Sequence, residues 1–124
     1  MVVDTSVLLA VIFEEKYGSW AAEQLNYYAS ELLMSTVNLA EFLIRTRDRQ
    51  PRLADSLEEQ IMNSGITFIS PDSNQAKIAA QARLKYPLNL GDCFAYALAV
   101  SRSTGILTVD SDFRVVDIEV IRPD

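Results

Sequence analysis

Between successive short apolar runs in this chain lie segments with helical spacing, and that alternation constrains the fold more than any other feature. Met1 to Asp4, Glu31 to Met34, Ile66 to Ile69, Ile106 to Val109 and Ile118 to Ile121 read as five strands, each only a few residues long. Strands joined through helices must run parallel, because a tight hairpin cannot make such a connection. The expected fold class is therefore α/β, a three-layer α/β/α arrangement with a central, mainly parallel, twisted sheet of about five short strands.

The helical segments are bounded by residues with a physical reason to stop or start a helix. Asp4, Thr5 and Ser6 are cap-type residues before Val7 to Phe13, and spaced apolar positions continue from Tyr17 to Tyr28. Ser35 and Thr36 precede a helix from about Val37 to Arg47, which should end before Pro51. Arg52 to Asn63 stops at Gly65, Ser73 to Lys85 at Tyr86-Pro87, and Asn89 to Ser103 at Gly105. That last helix is apolar nearly all round, so it should be buried. Asp110 to Phe113 reads as a turn or a short helical start, and no repeat or low-complexity tract interrupts the pattern.

Composition narrows the chemistry. The chain has 124 residues, 49% of them hydrophobic, which suits one domain over residues 1–124 with its own core. It holds no histidine, and this excludes Ser-His-Asp hydrolases, histidine general bases and His-ligated zinc. Cys93 is the one cysteine, so no intrachain disulfide forms; without a histidine partner it is expected in the core rather than as a nucleophile. No run approaches the roughly 18 apolar residues of a membrane span, and the N-terminus lacks a signal pattern, so no membrane partner and a cytoplasmic location are expected.

The net charge of −6 speaks against coating nucleic acid by bulk electrostatics. The basic residues are nonetheless clustered: Arg45, Arg47, Arg49 and Arg52 fall close together, either as a local phosphate-holding patch for RNA or as a solvated helix end.

Five acids stand at strand ends or helix starts: Asp4, Glu41, Asp92, Asp110 and Asp112. In open α/β sheets ligands bind beyond the carboxyl ends of the strands, where Asp4 and the Asp110/Asp112 pair fall. Each acid also has a purely structural reading. Asp4 can cap a helix, Glu41 can pair with Arg45 four residues on, and Asp92 can be the third residue of a capping box begun by Asn89. Turn chemistry explains one of Asp110 and Asp112, but two acids near Asp4 would repel each other unless a cation compensates. Oxygen ligands suit Mg²⁺ or Mn²⁺.

Four blocks now combine: Val3-Asp4-Thr5-Ser6, Ser35-Thr36-Val37-Asn38-Leu39-Ala40-Glu41, Leu90-Gly91-Asp92-Cys93-Phe94-Ala95-Tyr96-Ala97 and Leu107-Thr108-Val109-Asp110-Ser111-Asp112-Phe113. In this order they resemble a PIN-domain ribonuclease and, more narrowly, the VapC toxins of type II toxin-antitoxin pairs. The resemblance spans nearly the whole chain. It implies a metal-dependent endoribonuclease whose acidic pocket is formed by Asp4, Glu41, Asp92 and one acid of the final block. Asp112, directly before Phe113, is favoured there, with Asp110 as a possible fifth acid. Asp4 and Asp92 would bind Mg²⁺ or Mn²⁺ most directly, Glu41 and Asp112 through water or a second ion. Thr5, Ser6 and Asn38 would orient the acids.

Hydrolysis by metal-activated water would leave a 5′-phosphate and require no protein nucleophile. The resemblance also implies an RNA substrate, a cognate antitoxin that blocks the site with a basic side chain, and a homodimer. Trp20, Leu25, Tyr27 and Tyr28 offer apolar surface for a second copy, although core is the expected fate for most of them. A stand-alone RNA-processing nuclease and a non-catalytic interaction domain on the same scaffold are the alternatives. A phosphohydrolase of the haloacid dehalogenase type would need a second aspartate where Ser6 stands.

Overall fold

The computed structural model describes residues 1–124 and contains five strands and six α-helices. In chain order they are β1 (Val2–Val3), α1 (Thr5–Ile12), α2 (Gly18–Tyr27), β2 (Leu33–Ser35), α3 (Thr36–Arg49), α4 (Ala54–Met62), β3 (Thr67–Ile69), α5 (Ser73–Lys85), α6 (Leu90–Ser101), β4 (Ile106–Leu107) and β5 (Val120–Ile121). Single 3-10 turns cover Ala29–Glu31 and Ser111–Val115.

All four strand pairings are parallel, and the order across the sheet is β3-β2-β1-β4-β5. The chain builds outward from β1 through β2 to β3, then returns to the other side of β1 for β4. The order reverses between β1 and β4, and such a switch point opens a crevice at the carboxyl ends of the strands.

Side-chain alternation along each strand divides the core in two. Val3, Met34 and Leu107 face one buried cluster with residues of α1, α3 and α4, including Val7, Leu8, Phe42 and Ile61. Val2 and Ile106 face the other, with Ala79 and Ala82 of α5 and Ala95 to Ala99 of α6. Both faces of the sheet are thus covered, as the period-2 geometry of short apolar strands requires. Cys93 is fully buried in the second cluster. Trp20, Leu25 and Tyr28 pack against the first, whereas Tyr27 is 78% exposed.

The expected element order holds, and the boundaries shift where hydrogen bonding rather than hydropathy decides them. Strand β2 starts at Leu33, whose N–H donates to Met1 O, so Glu31 belongs to the preceding turn. Strand β4 ends at Leu107, after which the Thr108 N–H still donates to Ile121 O while its hydroxyl accepts the N–H of Asp110.

Gly105 was expected to end α6, but the left-handed residue there is Ser103, at φ 51°. The N–H of Ser103 donates to Val100 O and that of Thr104 to Ala99 O, which makes a Schellman end without glycine. Helix α1 ends the same way: Glu14, also at φ 51°, donates to Val11 O and Glu15 to Ala10 O. Gly105 serves close approach instead, since a Cβ there would stand 3.0 Å from the Glu119 carbonyl oxygen. Ser103→Gly should therefore raise stability by about 0.5–1 kcal/mol by removing left-handed strain, net of glycine's unfolded-state entropy. Gly105→Ala should lower it by about 1 kcal/mol through overpacking. Urea or thermal unfolding of the two variants measures both.

Candidate active site

Asp4, Glu41, Asp92 and Asp110 line one cleft at the switch point, contributed by the end of β1, the middle of α3, the start of α6 and the turn after β4. Side-chain oxygens of Asp4, Asp92 and Asp110 all lie within 4.8 Å of one another. The cleft is lined almost entirely by polar residues, with Leu9 as its one apolar contributor.

Asp4 occupies the N-cap position of α1 but makes no side-chain cap bond. Its Oδ2 accepts instead from Ser6 Oγ at 2.6 Å and from Thr108 Oγ1 at 2.9 Å. The capping reading of Asp4 thus gives way to a carboxylate clamped by two hydroxyls, Ser6 from the first turn of α1 and Thr108 from the residue after β4. Asp92 does complete a capping box: its N–H donates to Asn89 Oδ1 at 2.8 Å, and its Oδ2 accepts from Asn89 N at 3.3 Å. Capping and site membership coexist because only one oxygen is used.

Glu41 makes no ion pair with Arg45. Its Oε1 accepts from Asn38 Nδ2 at 2.8 Å and lies 3.1 Å from Thr5 Oγ1. The other amide proton of Asn38 goes to Gly91 O at 3.0 Å, which ties α3 to α6 beneath the acids. Gly91 has no side chain for a steric reason: the atoms of the Glu41 carboxylate lie no more than 2.5 Å from where a Cβ would stand.

Asp110, rather than Asp112, is the final-block acid that the structure brings to the others. Asp110 caps the Ser111–Val115 turn, its Oδ1 accepting the Asp112 N–H at 2.8 Å. Asp112 lies further round that turn, exposed to solvent and outside the cleft lining. The basic cluster also divides. Arg45 and Arg49 line the cleft, while Arg47 faces α4 and pairs with Asp55 and Glu58, and Arg52 is exposed beyond the helix. Thr108 and Glu15 are site residues that sequence reasoning did not single out, and Asn89 was read there only as a helix cap. For Thr108 the signal was a hydroxyl in an otherwise apolar strand, two residues before Asp110.

In all four cleft acids one oxygen is anchored by the protein and the other has no protein partner. The bonded atoms are Oδ2 of Asp4, Oε1 of Glu41, Oδ2 of Asp92 and Oδ1 of Asp110. The free oxygens are not sealed in, since the buried polar side-chain atoms left without a partner are Asn38 Oδ1 and Gln75 Oε1. No Lys or Arg forms an ion pair with any of the four. Burial, opposed by the Ser6 and Thr108 hydroxyls and reinforced by Asp110 and Glu41, raises the Asp4 pKa to about 6. Burial and then the charges of Asp4 and Asp110 push Asp92 up to about 7. A convergent set of oxygen donors, open on one side and with no side-chain cation paired to it, fits a hard divalent cation.

These shifts fix the sign of a pH effect. From the ordinary value of 3.8 up to about 6 for Asp4 and about 7 for Asp92, the folded chain keeps protons that the unfolded chain releases. Stability of the metal-free protein should therefore fall by a few kcal/mol as pH rises from 4 to 8. Asp92→Asn should flatten the profile. Thermal unfolding in chelator checks this, and added Mn²⁺ should raise the midpoint more at pH 8 than at pH 5.

Comparison with known proteins agrees with this arrangement. The family model described as PIN domain matches residues 1–119. A VapC ribonuclease of Mycobacterium bovis is 31% identical over 95% of this chain and 96% of its own length. A ribonuclease VapC of Mycolicibacterium smegmatis is 29% identical, covering 98% and 99%. Among solved structures, VapC20 of Mycobacterium tuberculosis, described as a sarcin-ricin loop cleaving toxin, superimposes with a TM-score of 0.79 at 18% identity over 98% of both chains. DNA-bound VapBC from Salmonella typhimurium superimposes with a TM-score of 0.75 at 19% identity, covering 98% of this chain and 96% of that one. The parallel sheet order, the acids gathered at its switch point and the extent of these matches together place the chain in the PIN domain family, among the VapC ribonucleases.

Proposed function

We propose that the protein is a VapC toxin, an endoribonuclease that hydrolyses phosphodiester bonds of RNA with Mg²⁺ or Mn²⁺ and is neutralised by a cognate antitoxin. The observation that carries this reading is the set of four acids, each with one oxygen anchored and one free, in a chain 31% identical to a VapC ribonuclease.

Asp4, Asp92 and Asp110 would hold the cation, with Glu41 beside them. A divalent ion so held lowers the pKa of water and offsets charge on the phosphate and leaving oxygens. The residues of this chain supply placement. Ser6 and Thr108 fix the Asp4 carboxylate, and Asn38 with Thr5 fixes Glu41 so that its free Oε2 is available to orient an attacking water. In-line attack on phosphorus breaks the bond to the 3′ oxygen and leaves a 5′-phosphate. No protein nucleophile is needed, in keeping with the burial of Cys93.

An acidic cleft favours a partner that inserts Arg or Lys, which supports an antitoxin acting by occlusion. Solved VapBC complexes with the same fold support a partner of this kind over a stand-alone processing enzyme. No helix is long and apolar enough to cross a membrane, and action on cellular RNA suits the cytoplasm. Exposed Leu84 and Leu90, on either side of the turn between α5 and α6, offer apolar surface for a homodimer.

Cleavage of total cellular RNA with Mg²⁺, Mn²⁺ or chelator tests the reading. Asp4→Asn and Asp92→Asn should each lose on the order of a hundredfold or more in rate. Gly91→Ala should lose on the order of a hundredfold by displacing Glu41, with the fold retained by circular dichroism. Asp112→Asn should cost far less than Asp110→Asn. Full activity in chelator, or undiminished cleavage by Asp92→Asn, would refute the proposal.

A further inference from the structure

The rim of the cleft carries a second, oppositely charged arrangement. Glu41, Arg45 and Arg49 follow one another at four-residue intervals on α3, and all three line the cleft. Each step along the helix is about 6 Å, on the scale of one backbone repeat of an extended single strand. The column therefore leads from the acids outward past two cations. Arg45 makes no ion pair or side-chain hydrogen bond with the protein, although charged groups on the same helix do: Arg47 is held by Asp55 and Glu58.

Arg49 is poised rather than free. Its guanidinium carbon sits 3.8 Å from the centre of the Phe13 ring, and Nη1 makes its one recorded bond to Glu15 Oε2 at 3.4 Å. Both side chains of that pair are about half exposed, at 49% and 46%, so the pair is weak and easily exchanged. The Phe13 stack does not depend on Glu15 and keeps the guanidinium in place when the carboxylate lets go. The backbone of Glu15 is itself fixed: the left-handed Glu14 closes the end of α1, and Glu15 N donates to Ala10 O at 2.9 Å.

We propose that Arg45 and Arg49 bind backbone phosphates of the RNA strand flanking the scissile bond, and that Glu15 is a built-in competitor which holds Arg49 until a phosphate displaces it. This rests on the nuclease reading above and deepens it by naming how the strand is held. A phosphate offers the guanidinium fork a shorter, two-pronged bond than Glu15 does, so exchange favours substrate. Glu15 then sets affinity: it weakens capture of any ligand whose anion must displace it from Arg49, and does not affect a ligand that leaves Arg49 untouched.

The test measures cleavage kinetics and fluorescence anisotropy with a short fluorescein-labelled single-stranded RNA of mixed sequence, across a salt series. Arg45→Gln and Arg49→Gln should each raise KM about tenfold, with the effect on KM rather than kcat. Each should also reduce the slope of log affinity against log salt by about 0.7. Glu15→Gln should move the other way, tightening binding roughly two- to fivefold. Arg102→Gln, the same charge change at the far end of α6, controls for net charge. Unchanged KM and slope in both arginine variants, while Asp4→Asn still abolishes cleavage, overturn the rim proposal alone. Weaker or equal binding by Glu15→Gln overturns the competitor role. If the native chain does not cleave RNA, the nuclease reading fails, and the anisotropy series still decides whether the rim holds phosphates.

Discussion

Mutual repulsion among Asp4, Glu41, Asp92 and Asp110 is the constraint around which the structure is organised. Four carboxylates gathered into one partly buried cleft, with no Lys or Arg paired to them, would separate if their backbones were free to move. Each is held by bonds to one oxygen, and the bonds come from different devices: two hydroxyls for Asp4, a buried amide for Glu41, a capping box for Asp92 and a turn for Asp110. Burial and repulsion raise the pKa values of Asp4 and Asp92, so the charged cleft costs stability that the two apolar clusters on either face of the sheet must offset.

The two helical layers meet at this cleft. Helix α3 packs against one face of the sheet and α6 against the other, yet both send an acid to the same carboxyl edge. Asn38 joins them, its amide donating to Glu41 on its own helix and to the Gly91 carbonyl of α6. The Glu41 carboxylate so held occupies the space where a side chain at Gly91 would start. The same helix α3 carries the charge pattern from acid to base, with Glu41 inside and Arg45 and Arg49 at the rim. One element thus serves the reacting phosphate and, in the proposed mode, its neighbours.

Element order was legible because burial on both faces of a short strand and on one stripe of a helix leaves different apolar periods. The caps at Ser35 and Asn89 were legible for a local reason, since a side chain reaches its own helix start whatever surrounds it. Asp4 misled by the same logic: its cap position is real, but hydroxyls of Ser6 and of distant Thr108 take its carboxylate. Gly105 misled because glycine marks either a left-handed residue or a close approach, and only the position of Glu119 shows which. The choice between Asp110 and Asp112 depended on how one short turn faces, which two identical side chains cannot reveal.

The sequence by itself determined the layered α/β class, the absence of imidazole chemistry, and the four segments that carry acids. These follow from residue identity and short-range periodicity. Tertiary structure decided which oxygens converge, because strand order places β1 beside β4 and brings Asp4 within reach of Asp110, more than a hundred positions away. It also decided that Arg49 meets Glu15 and Phe13 while Arg47 turns to α4. Pairwise distances between remote side chains are set by packing of whole elements, and no local pattern encodes them.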